Sequence, residues 1–145
     1  MKRILGILVV LAIAASGAWA SQKAPAKTQP FPGTLANARY VYVASYDGDQ
    51  FNPNLLPEDR DAIAAVQDQI QKWGKLILVY EPSQADIIIL VQSRPSEDVL
   101  AVYDAHGWPG NNFLWRVMGQ AGLQRGETPL MSQFEKGFEG IQKTK

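Results

Sequence analysis

The chain has 145 residues, with 14 basic and 14 acidic side chains, one histidine and no cysteine. Basic residues scattered singly exclude a dense nucleic-acid surface, and the missing cysteines exclude disulfide staples and thiolate metal sites. Stability must therefore come from packing a hydrophobic core, which a chain of this length can bury.

The first twenty residues have a distinct design. Lys2 and Arg3 precede an uncharged, mostly apolar run from Ile4 to Ala15, and Ala18-Trp19-Ala20 puts small residues at the two positions a signal peptidase reads. The run is shorter than the about 20 residues that cross a hydrocarbon layer. It predicts a signal peptide over 1–20, cleaved near Ala20, and an exported protein of the periplasm or the medium. Removal leaves 125 residues with a formal charge of −2. Ser21 stands where a lipoprotein would need its cysteine, and no later apolar run approaches spanning length, so no stable membrane span is expected in the mature chain.

Residues 21–37 are rich in Pro and Lys and poor in large apolar side chains, and read as a flexible leader. A single α/β domain is expected over 38–145. Tyr40, Tyr42, Ala44 and Tyr46 alternate with Val41, Val43 and Ser45, the period of a strand. Asp47 to Asn54 collects turn formers. Pro57-Glu58-Asp59 suits a helix start, Ile63, Val66, Ile70 and Trp73 fall on one stripe, and Gly74 marks the stop. Leu76 to Tyr80 and Ile87 to Val91 are uniformly apolar and predict two buried strands. Their six-residue connection is too short for a usual parallel return and predicts an antiparallel pair.

Val99 to Tyr103 and Phe113 to Met118 continue a meander. Thr128-Pro129 then offers an N-cap and a first-position proline to a last helix with Leu130, Phe134, Phe138 and Ile141 on one stripe. Gly137 and Gly140 weaken that helix, so docking on the sheet must hold it. The expected fold is α+β: two layers, a mixed five-stranded sheet and two helices, in the order β-α-β-β-β-β-α. Two helices cover one face, yet the middle strands are apolar on both. The second face needs a cover: the loop with Phe51, Leu55 and Leu56, the loop with Trp108, a second copy, or another protein.

Tyr40-Val41-Tyr42-Val43, Lys72-Trp73-Gly74, Ala85-Asp86, Val102-Tyr103-Asp104 and Leu114-Trp115-Arg116, at their spacings, resemble small exported bacterial proteins of unknown function, some of them lipoproteins. The resemblance spans roughly residues 38 to 141 and rests on structural punctuation. It implies an envelope or secreted α/β module with an accessory or binding role and transfers no catalytic residue. The missing lipidated cysteine sets this chain apart from the lipoprotein members.

Candidate chemistry is sparse. Counting Asp47 as position one of a calcium loop puts Asp49 at three and Glu58 at twelve, but Phe51 and Asn52 occupy positions five and six, where a ligand and a glycine are required. Turn formation and helix charging explain these acids better, and no metal or cofactor is expected. His106 lies close to Asp104, an imaginable acid–base pair, although adjacency in sequence does not establish a hydrogen bond. The serines lack a nucleophile setting and the glycines fit no phosphate-binding motif. Trp108, between Gly107 and Pro109, is either an exposed anchor or a ring folded back on its own sheet. Tyr40, Tyr42 and Tyr46 share a face, either a binding strip or, more ordinarily, a face under a helix.

The reading that follows is an exported non-enzymatic module, a protein-binding or accessory envelope protein, with Trp108, Phe51 and Tyr42 as candidate binding residues. Self-association or an envelope protein supplies the partner; nucleic acid does not. One alternative is a small hydrolase or transferase using His106 with Asp104, Asp47 or Asp49. Another is a carbohydrate-binding module using Trp108 and the tyrosines.

Overall fold

The computed structural model describes residues 29–110 and 112–144; the predicted signal peptide and positions 21–28 of the predicted leader lie outside them. Strand β1 (Tyr40–Ser45) is flanked by parallel neighbours, β2 (Ile77–Val79) and β3 (Ile87–Ser93). Beyond β3, β4 (Asp98–Asp104) and β5 (Phe113–Gly119) continue as an antiparallel meander, so the sheet order is β2-β1-β3-β4-β5. Helix α1 (Pro57–Trp73) joins β1 to β2, and α2 (Pro129–Gln142) closes the chain. The architecture is the α+β fold expected.

Two features of the sheet differ from expectation. The segments at 76–80 and 87–91 are not an antiparallel pair: both run parallel to β1, which lies between them. A short connection suffices because β2 has only three residues, so the chain has little length to retrace. Nor is β2 a buried strand. It is an edge, and Ile77 is largely exposed.

Register assigns each side chain to a face, because partners in a ladder point the same way. Val41, Val43, Ile87, Ile89, Val91, Leu100, Val102 and Trp115 join one core with Ile63, Val66 and Ile70 of α1 and Leu130, Phe134 and Phe138 of α2. Of the predicted stripes, Ile63, Val66, Ile70, Leu130, Phe134 and Phe138 are buried, while Trp73 and Ile141 at the helix ends are half-buried against the core. Gly74 ends α1 at φ 73°, a left-handed conformation glycine adopts at no steric cost, and its N–H donates to the Ile70 carbonyl. Thr128 does precede α2, but its side chain makes no capping bond. Its carbonyl instead accepts from the Ser132 N–H at 3.0 Å and the Ser132 hydroxyl at 3.3 Å. The helices meet through Trp73, whose ring packs edge-on to Phe138 with centroids 5.3 Å apart and whose Nε1–H donates to Glu139 at 2.9 Å.

The domain also begins earlier than residue 38. Phe31 stacks edge-on against Trp115 at 5.2 Å, the Trp115 Nε1–H donates to the Gln29 carbonyl at 3.2 Å, and a 3-10 turn (Gly33–Asn37) buries Leu35 in the main core. A few aromatic and aliphatic side chains are enough to dock a proline-rich stretch when a hydrophobic groove awaits it. The last nine positions of the predicted leader therefore belong to the fold.

Candidate functional site

On the face away from the helices, register aligns Tyr40, Tyr42 and Ala44 of β1 with Ile77 and Val79 of β2 and with Ile88 and Leu90 of β3. It then places Val99, Ala101 and Tyr103 of β4 opposite Met118, Arg116 and Phe113 of β5. The three tyrosines thus lie on the helix-free side, not under a helix as the more ordinary reading held. A register shift between Val102 and Tyr103 pairs Trp115 with Val102 but Phe113 with Tyr103. This irregularity breaks the alternation of β5, so Phe113 faces outward although Trp115, two residues on, faces the core.

The middle of this face is sealed by the chain itself. Ile88, Leu90 and Ala44 are buried beneath Tyr42, Tyr103, Ala105 and Trp108. Trp108 folds back edge-on to Tyr103 with ring centroids 5.7 Å apart, and the Tyr46 hydroxyl reaches across the strands to within 3.3 Å of the Tyr103 hydroxyl. Burial, the bond to Tyr103 and the neighbouring ring together raise the Tyr46 phenol, against the pull of Arg116. Burial and then the charge of Asp49 raise Tyr42.

Around that sealed centre the rim is open. Tyr40 is 41% exposed, Ile77 56%, Phe113 40% and Met118 43%, all on the helix-free side. Single exposed apolar residues are ordinary, but these four share one sheet face with Tyr46, itself 43% exposed, and with the half-buried Tyr42, Tyr103 and Trp108, while Arg116 lies between Phe113 and Met118 on β5. Arg116 is the one formally charged residue in the register rows of this face. Phe51, the third candidate binding residue, stands apart: it is 75% exposed in the loop before α1 and does not belong to the small cluster that Tyr42 and Trp108 share. Leu55 from the same loop packs into the main core, so that loop does not cover the open face.

His106 and Asp104 do come together. The His106 ring Nδ1 lies 2.9 Å from Asp104 Oδ1, which also accepts the His106 backbone N–H at 2.9 Å, and the two bonds hold the Asp104 carboxyl below its ordinary range. The pair sits at a 260 Å³ cavity with Thr34, Asn37 and Asp86. Its side chains are 79% and 45% exposed, and the geometry is that of a turn in which an aspartate caps the residue two positions on. The Asp86 carboxylate is itself engaged, accepting the N–H groups of Arg39 and Tyr40. Asp47 and Asp49 lie elsewhere: Asp47 pairs with Arg94 at 3.2 Å and Asp49 accepts the Phe51 N–H at 2.9 Å.

Sequence reasoning missed Ile77, Phe113, Arg116 and Met118 as parts of this surface. Ile77 was hidden by the expectation of a buried strand, and the β5 residues by the register shift. It also gave Asp59 only a helix-charging role. The Asp59 side chain is fully buried, with Oδ1 accepting from the Ser93 N–H at 2.9 Å and from Arg94 at 2.8 Å. Among the described residues no group of three acidic or histidine side chains is placed to hold a metal ion, and no helix is long and apolar enough to cross a membrane. No family model matches the chain, and neither a curated protein nor a solved structure is significantly similar to it.

Proposed function

We propose that this chain is an exported, non-enzymatic binding module that engages a protein partner through the helix-free face of its sheet. The observation that carries the reading is the open rim of Tyr40, Ile77, Phe113 and Met118 around a centre closed by the chain's own tyrosines and Trp108. Such a surface has the composition of an interface core, rich in aromatic residues and methionine and poor in charge. Tyrosine and tryptophan offer large contact area with few rotatable bonds, so ordering them on binding costs little entropy. A photoreactive residue at Tyr40 or Met118 tests it in intact cells. Adducts at these positions, with none at exposed Asp68 on the outer side of α1, are expected. Equal labelling at all three would leave the face without a special role.

The 2.9 Å contact of His106 with Asp104 favours a second reading, a small hydrolase or transferase. The Nδ1–H···carboxylate bond would orient the ring and leave Nε2 as the base. Its high exposure and turn geometry speak for a structural role. A hydrolytic activity abolished by both His106→Ala and Asp104→Asn in a folded protein would establish the alternative.

A further inference from the structure

We infer that residues 29–35 are an internal ligand seated in a preformed groove between β5 and α2, and that this groove is a receptor for an extended segment of another protein with a large aromatic residue between prolines. The site lies in the helix layer, so the inference does not depend on the binding face proposed above.

The floor of the groove stands without the strap. Trp115 is held in the β5 ladder opposite Val102, and its ring packs on Phe134 with centroids 6.2 Å apart. Phe134 packs in turn on Phe138 at 6.0 Å and on Trp73 at 6.2 Å, so rings on regular elements hold one another. Phe31 is laid on this floor, 5.2 Å from Trp115 and 5.5 Å from Phe134. It fits because Gly137 has no side chain: a Cβ there would run into the ring. A helix position left bare at a cost in propensity is a notch shaped for an aromatic guest.

The strap itself is lightly held. Among the described residues it joins none of the five strands, and its Gln29 carbonyl takes a hydrogen bond from a side chain, the Trp115 Nε1–H at 3.2 Å. Its apolar anchors are the half-buried Phe31 and Pro32 and the buried Leu35, while Gln29, Pro30, Gly33 and Thr34 are exposed. A segment with so few buried contacts opens locally at much lower cost than the sheet. Prolines on both sides of an aromatic residue limit the shapes the free segment can take, so such a segment docks with little loss of entropy.

The strap also leaves its groove underfilled. A cavity of about 380 Å³ remains beside Pro30 and Phe31, walled by Trp115, Gln133, Lys136 and Gly137. The van der Waals contacts that this space forfeits are open to a bulkier guest. A guest from outside competes with a tethered segment at high effective concentration, so it must make contacts that the strap lacks. The strap of a second copy has the same sequence and would leave the same space. That points to a different protein, with a larger ring such as indole in the place of Phe31.

The protein recovered from cells expressing the full chain, isotope-labelled for NMR, tests this with a synthetic peptide, Gln29–Ala38, and its Phe31→Trp form. In wild type the amides of Leu35 and Ala38, which donate within the 3-10 turn, are expected to be protected from exchange at least a hundredfold less than that of Val43 inside the sheet. In Phe31→Ala, whose fold circular dichroism verifies, both peptides are expected to shift the Trp115 indole N–H signal saturably, the Phe31→Trp peptide at least tenfold more tightly. Wild type, its groove occupied, is expected to bind each at least tenfold more weakly than Phe31→Ala does. Equal protection of the three amides, an unfolded Phe31→Ala, or no shift at about 5 mM peptide overturns the receptor. A wild-type dimer in sedimentation that Phe31→Ala abolishes, or a Phe31→Trp peptide no tighter than the native one, overturns the partner named.

Discussion

At Asp59 a carboxylate is held wholly out of water, its Oδ1 shared by Ser93 and Arg94 while its Oδ2 has no hydrogen-bond partner among the described residues. Arg94 in turn reaches Asp47 and the Ser93 carbonyl, so one guanidinium joins the start of α1, the loop before it and the end of β3. Removing one member of such a pair strands the other. Asp59→Ala is expected to lower the unfolding free energy by about 3 kcal/mol in a urea titration. Glu58→Ala, next in sequence but exposed, is expected to change it by less than about 0.5 kcal/mol. Equal effects would mean that both acids act only through the helix dipole. At Asp104 the carboxyl is held low first by the backbone N–H of His106 and then by its ring. A carboxyl lowered in the folded chain favours folding while ionised, so this small contribution is present above the ordinary carboxylate range and fades as pH falls through the lowered value. In His106→Ala the backbone donor survives, and NMR titration should find Asp104 raised only partway toward its ordinary value. No movement would remove the imidazole from the account.

The two helices were readable as elements because their apolar residues recur at three and four, and all the stripe residues but the terminal Trp73 and Ile141 are buried. Strand β1 was equally legible, but its facing was not. Alternation divides Tyr40, Tyr42 and Ala44 from Val41 and Val43 without saying which set meets the helices. The order of the parallel strands was hidden for a different reason: connection length measures distance only when strand lengths are known, and β2 is unusually short. The glycines of α2 divide in a way that only packing reveals. A Cβ at Gly137 would collide with the Phe31 ring, whereas nothing stands near one at Gly140. Gly140→Ala should therefore stabilise the protein by about 0.5 kcal/mol through helix propensity. Gly137→Ala, with the same propensity gain, should lower the melting temperature and speed amide exchange at residues 31–35. A rise in stability for both would show that Phe31 is not anchored as described.

For the whole molecule, the part of the site visible in sequence was its cause, a sheet too apolar for the helices available. The strands at 87–91 and 99–103 announced that surplus, and the structure divides its resolution between self-sealing at the centre and exposure at the rim. The positions of the rim were not legible, because they depend on a register shift in β4–β5 and on the edge position of β2. The N-terminal pattern leads to a separate expectation. Intact-mass analysis of the protein from the culture medium or periplasm should find a chain beginning at Ser21, and recovery of the uncleaved chain from the cytoplasm alone would contradict export.

Strand β1 has a further consequence for how the molecule comes into being. Its ladder partners, Ile77–Val79 and Ile87–Val91, arrive only after α1 and some thirty to fifty residues of intervening chain. Until then the earliest strand has nothing to hydrogen-bond with, and the loop that brings its neighbours back must close against its own entropy. A polypeptide emerging amino end first thus leaves β1 without a ladder partner until its middle third is out, so the sheet can begin to assemble only once more than half of the chain is available.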